Sequence, residues 1–433
     1  MRILLIQSYI KNQTHPIMPL GLLYLCKYLQ KHNIKIFDPN VYKNPIIKLE
    51  ERIKLFEPEL IGISIRNIDS TMSFKPVPYF FYNKEFFEKI SQIIPSSKII
   101  VGGSGFRMFS KKIMESCPQI NIGVITDRSI IKIANRENLD EIPGIYYRVD
   151  NKLVYNSVLD NVSDLQYNLN YKMVEKLDRY NFLRGVGVRT KVGCSFNCSY
   201  CIYKKIEGEG IKLGKIDDIV NEIKTLNNKF RINNIFFADC QFNNPLDHSI
   251  EILERIIKEN IKITWGAYFN LKNFTKDYYQ LCLESGCRYF EFSPDSIDNR
   301  ILKNLNKNLT TKDIYGLYRI FRKKPENIRL EINYLINAPG ENVFSALKTI
   351  FLLFYHKLND INGKISNIRI YPDVFFDKNG IFNTEEVDSL IPKFYNPEPY
   401  NLYTSIFCKL MELISYKKCQ RKKFKNDLKL YEH

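Results

Sequence analysis

Twice along this chain, short apolar runs alternate with amphipathic stretches, and that alternation limits the available folds more than any other feature. RILLIQ (2–7), IKIF (34–37), LIGISI (60–65), KIIVGG (98–103) and IGVIT (122–126) read as buried strands. Helices are predicted between them at LGLLYLCKYLQKH (20–32), NPIIKLEERIKLF (44–56) and KEFFEKISQII (84–94). Strand and helix in strict alternation predict a parallel, doubly wound α/β sheet. GIYYRVDNKLVYN (144–156) reads as a hairpin turning at Asp150-Asn151, which either closes this unit or bridges to the next.

The alternation resumes with VGVRTKV (186–192), NIFFA (234–238), KITWGAY (262–268), RYFEF (288–292), IRLEINYLI (328–336) and NIRIY (367–371). A helix is well marked at 216–226, where Ile216, Ile219, Val220, Ile223 and Leu226 fall on one stripe. Six strand–helix pairs predict a partial (β/α)6 barrel with its chemistry at the C-terminal ends of the strands. The expected units are a Rossmann-like domain at 1–143, a hairpin and linker at 144–185, the barrel at 186–375 and a small helical, basic extension at 376–433.

Composition narrows the partners. With 433 residues and 45% apolar content the chain can bury a large core. No run approaches the roughly 18–20 apolar residues of a membrane span, and the N-terminal apolar run is too short for a signal peptide, so a cytoplasmic location is expected. The net charge is +17. It lacks the basic–aromatic interleaving of a stacking platform and concentrates only in KKCQRKKFK (417–425), which argues against a nucleic-acid partner.

In a reducing compartment ten cysteines are not a disulfide framework. Cys26, Cys117, Cys240, Cys282, Cys287, Cys408 and Cys419 are scattered and read as inert thiols. The other three crowd into TKVGCSFNCSYCIYKK (190–205) as Cys194, Cys198 and Cys201, directly after the first barrel strand. Structural zinc wants four ligands, usually in two pairs, and no second pair follows; Cys240 and His248 are the remaining candidates for a fourth. A four-iron cluster suits three thiolates better, and it leaves one iron open for chemistry.

The Cys-x3-Cys-x-aromatic-Cys spacing, with Tyr200 at the aromatic position, resembles the radical SAM superfamily. That resemblance implies a [4Fe-4S] cluster on Cys194, Cys198 and Cys201, with S-adenosylmethionine (SAM) on the open iron. It further implies SAM contacts from Asp239 and Gln241 in FFADCQFN, and ribose contacts from Ser293 and Asp295 in FEFSPDS. Asn333 in LEINYLINAPGE, and Arg369 and Tyr371 in IRIYP, complete the implied cofactor set. The usual two glycines and an acid are absent from the second-strand segment. IYKKIEGEG (202–210) is similar to a stretch that lines the SAM or substrate pocket, and it also reads as a plain solvated loop.

A doubly wound domain ahead of such a barrel resembles the cobalamin-binding subclass, including the tryptophan methyltransferase type of thiopeptide biosynthesis. The resemblance rests on MPLGLLYLCKYLQKHNIKIFD (18–38), GISIRNID (62–69) and VGGSGFRMFS (101–110). Gly102, Gly103 and Ser64 sit at the carboxyl edge of the strands, where ligands of open α/β sheets bind. The Asp-x-His-x-x-Gly loop of histidine-ligating members is absent; DPNVYKN (38–44) stands there, and the resemblance puts Arg66 beneath the cobalt. GVITDRS (123–129) replaces the Gly-Glu-Gly-Glu usual after the fifth strand.

The expected activity is a cobalamin-dependent methyl transfer to a natural-product or peptide intermediate, with flavodoxin or ferredoxin as electron donor. A cobalamin-free radical SAM enzyme (rearrangement, dehydration or C–S bond formation) and a degenerate binding paralogue remain alternatives. Methylthiolation of tRNA fits poorly, because only Cys26 and Cys117 precede Cys194 where a second cluster would need three N-terminal cysteines.

Overall fold

RILLIQ forms β1 (Arg2–Gln7), in which Ile3, Leu4, Leu5 and Ile6 are wholly buried. Each such side chain contributes about 1.5–3 kcal/mol of burial free energy. The computed structural model describes residues 1–11, 15–71, 73, 76–157, 165–208, 210–371 and 390–395. In it β1 lies between β2 (Asn33–Phe37) and β3 (Leu60–Ser64), and β4 (Lys98–Gly102) and β5 (Ile122–Val124) extend the parallel sheet. Separate apolar clusters pack on its two faces, which is why these strands read as continuous apolar runs.

β6 (Ile145–Val149) and β7 (Lys152–Asn156) join antiparallel at the edge of β5. The hairpin therefore closes the first sheet, and this unit runs to Asn156 rather than stopping at 143. Asp150 and Asn151 both take positive φ, 49° and 64°, as a two-residue hairpin turn requires. The linker that follows is anchored. The Glu222 carboxylate accepts from the Asn168 amide at 2.6 Å and from the Tyr171 hydroxyl at 2.6 Å.

The second sheet holds six parallel strands in the order β8 (Val186–Val188), β11 (Asn234–Phe237), β12 (Thr264–Phe269), β13 (Cys287–Asp295), β14 (Arg329–Leu335) and β15 (Asn362–Ser366). A separate antiparallel ribbon pairs β9 (Lys191–Cys194) with β10 (Gly210–Leu213).

Two expectations change. VGVRTKV breaks into β8 and β9 at Arg189-Thr190, where Asp239 accepts from the backbone amides of Thr190 and Lys191. The sixth strand is NGKIS, not NIRIY. NGKIS escapes an apolar search because it is an edge strand whose Lys364 is paired with Glu331 of the neighbouring β14.

The N-terminal unit covers the open side of this half-barrel. Beside β8, the Met18 amide donates to the Gly185 carbonyl at 2.9 Å. Beside β15, the Ser366 hydroxyl donates to the Thr71 carbonyl at 3.3 Å. One apolar core runs through both units, from Ile3 to Ile365. Of the expected C-terminal extension only 390–395 is described, with the Tyr395 amide on the Ile368 carbonyl at 2.8 Å. Cys408, Cys419 and the basic run at 417–425 lie outside the described residues.

Candidate functional site

Cys194 ends β9, and the chain turns through Cys198 and Cys201 before the helix Tyr203–Glu207 and β10 carry it back. Cys194 stands opposite Gly210 in the ribbon, so the loop is pinched at its base. Gly193 makes the pinch possible. Its φ is +88°, and a Cβ there would lie 2.1 Å from the Gly210 carbonyl oxygen. Behind the loop, Arg189 pairs with Glu207 at 2.7 Å. The IEGEG stretch thus buttresses the cysteine loop through Glu207, which also accepts from the Gly193 amide at 3.3 Å.

All three thiols are half-buried and free. Among the described residues no three His, Cys, Asp or Glu side chains converge tightly enough for a single metal ion. A four-iron cube spreads its thiolates wider than one tetrahedral ion and takes thiolates by preference, so this donor set fits a cluster better than zinc. Burial pushes the Cys201 thiol up to about 11 and raises that of Cys198, whereas a hydrogen bond from Cys240 lowers Cys194 to about 6. Cys240 is therefore not an inert bystander. It lies against Cys194 and within 3.4 Å of the Glu207 carboxylate. Only the fold brings it there.

Tyr200 donates its hydroxyl to Asp295, and its ring packs on a small cluster containing Ile301, Leu305 and Ala338. Asp295 ends β13 in the left-handed region, φ +70°, and also lies 2.5 Å from Lys307 Nζ. Ser293 and Asn333 meet beside it, with Asn333 Nδ2 donating to Ser293 Oγ at 3.2 Å and to Glu291 at 2.9 Å.

Asp239 is almost fully buried, and both of its oxygens accept from the protein: Oδ1 from the Thr190 amide at 2.9 Å, Oδ2 from the Thr190 hydroxyl at 2.6 Å. It braces the ends of β8, β9 and β11 beneath the cysteine loop. The Gln241 side-chain oxygen accepts from Asn270 at 2.9 Å. Arg369 and Tyr371 lie where the barrel meets the N-terminal unit, Tyr371 in the same apolar cluster as Ile202 and Ile206. Arg369 pairs with Asp69 at 2.9 Å, and the Tyr371 ring packs at a tilt on Phe109, so both join the barrel to the N-terminal unit.

Ser64, Gly102 and Gly103 do share the carboxyl edge of the first sheet, as expected. Gly103 has an internal reason to lack a side chain, because a Cβ would lie 2.6 Å from the Ile65 carbonyl oxygen at φ +97°. Arg66 follows β3, half-buried, with its Nε on Asn67 at 3.0 Å and no ion-pair partner among the described residues. Burial, and more weakly the charge of Arg184, lower its pKa; the nearby hydroxyls of Tyr268 and Tyr203 oppose them.

Arg184 itself belongs to a polar barrel interior that no local pattern announced. It pairs with Glu291 at 2.8 Å, donates to the Tyr268 hydroxyl at 2.8 Å and lies over the rings of Phe236, Tyr268 and Tyr289. In GVITDRS, Asp127 holds Arg107 at 2.7 Å, and Arg107 reaches the Ile206 carbonyl at 2.8 Å. That loop thus braces the helix behind the cysteines.

The family model described as the radical SAM superfamily matches residues 188–346, from the end of β8 into the helix after β14. Residues 188–346 form a radical SAM domain. The chain is similar to an uncharacterized methyltransferase of Pyrococcus horikoshii, 27% identical over 319 residues, a match covering 70% of this chain and 66% of that protein. A cytidylyl-2-hydroxyethylphosphonate methyltransferase of Streptomyces wedmorensis is 22% identical, covering 67% of this chain and 63% of that one. A ribosomal protein uS12 methylthiotransferase RimO of Clostridioides difficile is 25% identical, with 53% of its length matched. The chain therefore spans about one half to two thirds of these relatives.

Among solved structures, the radical SAM methyltransferase TsrM from Kitasatospora setae, bound to tryptophan and a SAM analogue, superposes with a TM-score of 0.73 and 20% identity. It covers 86% of this chain and 74% of TsrM. The cobalamin-dependent SAM radical enzyme OxsB, with aqua-cobalamin and SAM bound, gives a TM-score of 0.61, 18% identity and coverage of 77% and 49%. At these identities the likeness is one of fold, and it extends beyond the radical SAM domain into the N-terminal sheet. Among the described residues no helix is long and apolar enough to cross a membrane.

Proposed function

We propose that this chain is a cobalamin-dependent radical SAM methyltransferase acting on a small-molecule or peptide intermediate. The observation that carries it is the placement of the Cys194–Cys201 loop in a barrel whose open side is covered by a doubly wound sheet, in a fold similar to those of TsrM and OxsB. When bound, the cluster and SAM supply one-electron and methyl-group chemistry, and cobalamin carries the methyl group.

Cys194, Cys198 and Cys201 would hold the cluster, and Tyr200, tied to Asp295, fixes the loop that presents them. Gln241, Ser293 and Asn333 supply polar atoms at the strand ends where SAM would lie. Asp239 and Asp295 act behind that surface, each already engaged by protein donors. Ser64, Arg66, Gly102 and Gly103 offer the sheet edge where cobalamin would rest. Arg66 would meet it as a half-buried cation, and no histidine stands in DPNVYKN to ligate cobalt. Arg369 and Tyr371 keep the two units together so that water is excluded from the space between them.

A flavodoxin or ferredoxin is the proposed electron donor and the cytoplasm the proposed compartment. The second cluster that methylthiolation of tRNA would need is disfavoured, because Cys26 and Cys117 are both buried in apolar core.

Anaerobic purification from cells supplied with cobalamin tests the reading. Iron near four per chain, a corrinoid absorbance and methyl transfer from SAM are expected. A triple Cys194→Ala, Cys198→Ala, Cys201→Ala variant that keeps its iron and still cleaves SAM defeats the cluster assignment. An iron-loaded protein that makes deoxyadenosine but binds no corrinoid defeats the cobalamin assignment alone.

A further inference from the structure

Lys307 follows the helix Asn299–Asn304, and its side chain is only 8% exposed. Nothing in NLNKN distinguishes it from the many other lysines of this chain. Yet Nζ lies 2.5 Å from Asp295 Oδ2, donates to the Ser293 carbonyl at 2.9 Å and sits 5.7 Å from the centre of the Tyr200 ring. The thiols of Cys198 and Cys201 both feel its charge. A desolvated ammonium therefore stands beside Tyr200, inside the loop that carries the three cysteines that would take the cluster.

Asp295 is its counter-ion, so Lys307 and Asp295 are close to neutral as a pair before any cluster binds. Three thiolates on an oxidised four-iron core carry a net charge of about −1, and one-electron reduction takes it to about −2. Charges act strongly where water is excluded, and the potential of a cluster follows the charge and hydrogen bonds around it. We propose that Lys307 and Asp295 form an opposed charge pair that sets the reduction potential of the cluster, the lysine favouring the added electron and the aspartate opposing it. This rests on the assignment of Cys194, Cys198 and Cys201 as cluster ligands. The step concerned is the uptake of one electron from an external low-potential reductant; no bond forms or breaks. Lys307 is in this sense a tuning residue, held in place by Asp295 and the Ser293 carbonyl.

The test is an anaerobic dithionite-poised titration of the reconstituted full chain, followed by electron paramagnetic resonance, on wild type, Lys307→Gln, Lys307→Arg and Asp295→Asn. Lys307→Gln is expected to move the midpoint to more negative potential, Lys307→Arg to leave it near wild type, and Asp295→Asn to move it the other way. A purely structural clamp would not produce shifts of opposite sign. A loaded Lys307→Gln with an unmoved or raised midpoint overturns the proposal, as do shifts of the same sign in the two variants. Should Lys307→Gln retain no iron, Asp295→Asn decides: an unmoved or lowered midpoint overturns it. A wild-type chain that takes up no iron is a different failure, that of the cluster assignment, and removes the proposal with it.

Discussion

Arg369 Nε donates to Asp69 Oδ2 at 2.9 Å, joining residues 300 positions apart across the seam between the two units. Both side chains are at most 5% exposed, and the guanidinium also lies over the rings of Phe109 and Tyr371. Removing one partner strands the other charge in a dry seam. Asp69→Ala should cost about 3–5 kcal/mol in urea unfolding, and the double change Asp69→Leu with Arg369→Met markedly less. Equal losses for the single and double variants would contradict a paired seam.

Glu331 is wholly buried in the barrel interior, where it is paired with Lys364 and accepts from Asn362 at 2.9 Å. Burial opposes its charge, but Lys364 and then Arg184 bring its pKa down to about 2. Glu331→Gln leaves Lys364 without its counter-ion and should destabilise the barrel by about 3–5 kcal/mol at neutral pH. The penalty should shrink as pH falls from 4.5 towards 2, because the unfolded wild-type chain takes up a proton at this carboxyl while the folded one does not. Denaturation at several acid pH values measures it.

At the base of the cysteine loop, Gly193→Ala places a Cβ against the Gly210 carbonyl at a positive φ. About 1–3 kcal/mol of local strain follows, confined to the β9–β10 ribbon. The expected result is a folded chain whose iron content after reconstitution falls well below wild type. Gly316→Ala, where a Cβ meets nothing within 4 Å, is the control and should keep its iron.

Two buried groups near the ends of the helix Val343–Leu358 titrate in opposite senses. Burial pushes Glu341 up to about 7 and His356 down to about 4. Between pH 4.5 and 7 the folded state binds the extra proton at Glu341, so that carboxyl costs stability as pH rises. Between pH 6.5 and 4 the unfolded state binds the extra proton at His356, so that imidazole costs stability as pH falls. Relative to wild type, Glu341→Gln should gain about 3 kcal/mol on going from pH 4.5 to 8. His356→Gln should gain by a similar order on going from pH 7 to 4. A difference curve flat with pH for either variant would contradict its buried titration.

Strand positions in the N-terminal half were legible because strands covered on both faces are apolar along their whole length, as Ile3–Ile6 and Ile99–Val101 are. The sixth barrel strand was not, since an edge strand such as Asn362–Ser366 can stay polar when Glu331 supplies its counter-charge. Gly103 was legible as a special position but not for its reason, which is the approach of Ile65 from another loop. The partner of Arg369 was not legible either, since Asp69 lies 300 residues away in the other unit.

Three thiols within eight residues, with an aromatic before the last, were determined by sequence alone, because a ligand loop is local and its spacing survives any fold around it. The surroundings of that loop were decided only by tertiary structure. Cys240, Lys307 and Asp295 come from separate strand ends and loops, and Tyr200 meets Asp295 across 95 residues of chain. Charge and hydrogen bonding act through space over a few ångströms. A linear pattern carries no record of which distant side chains will share that space.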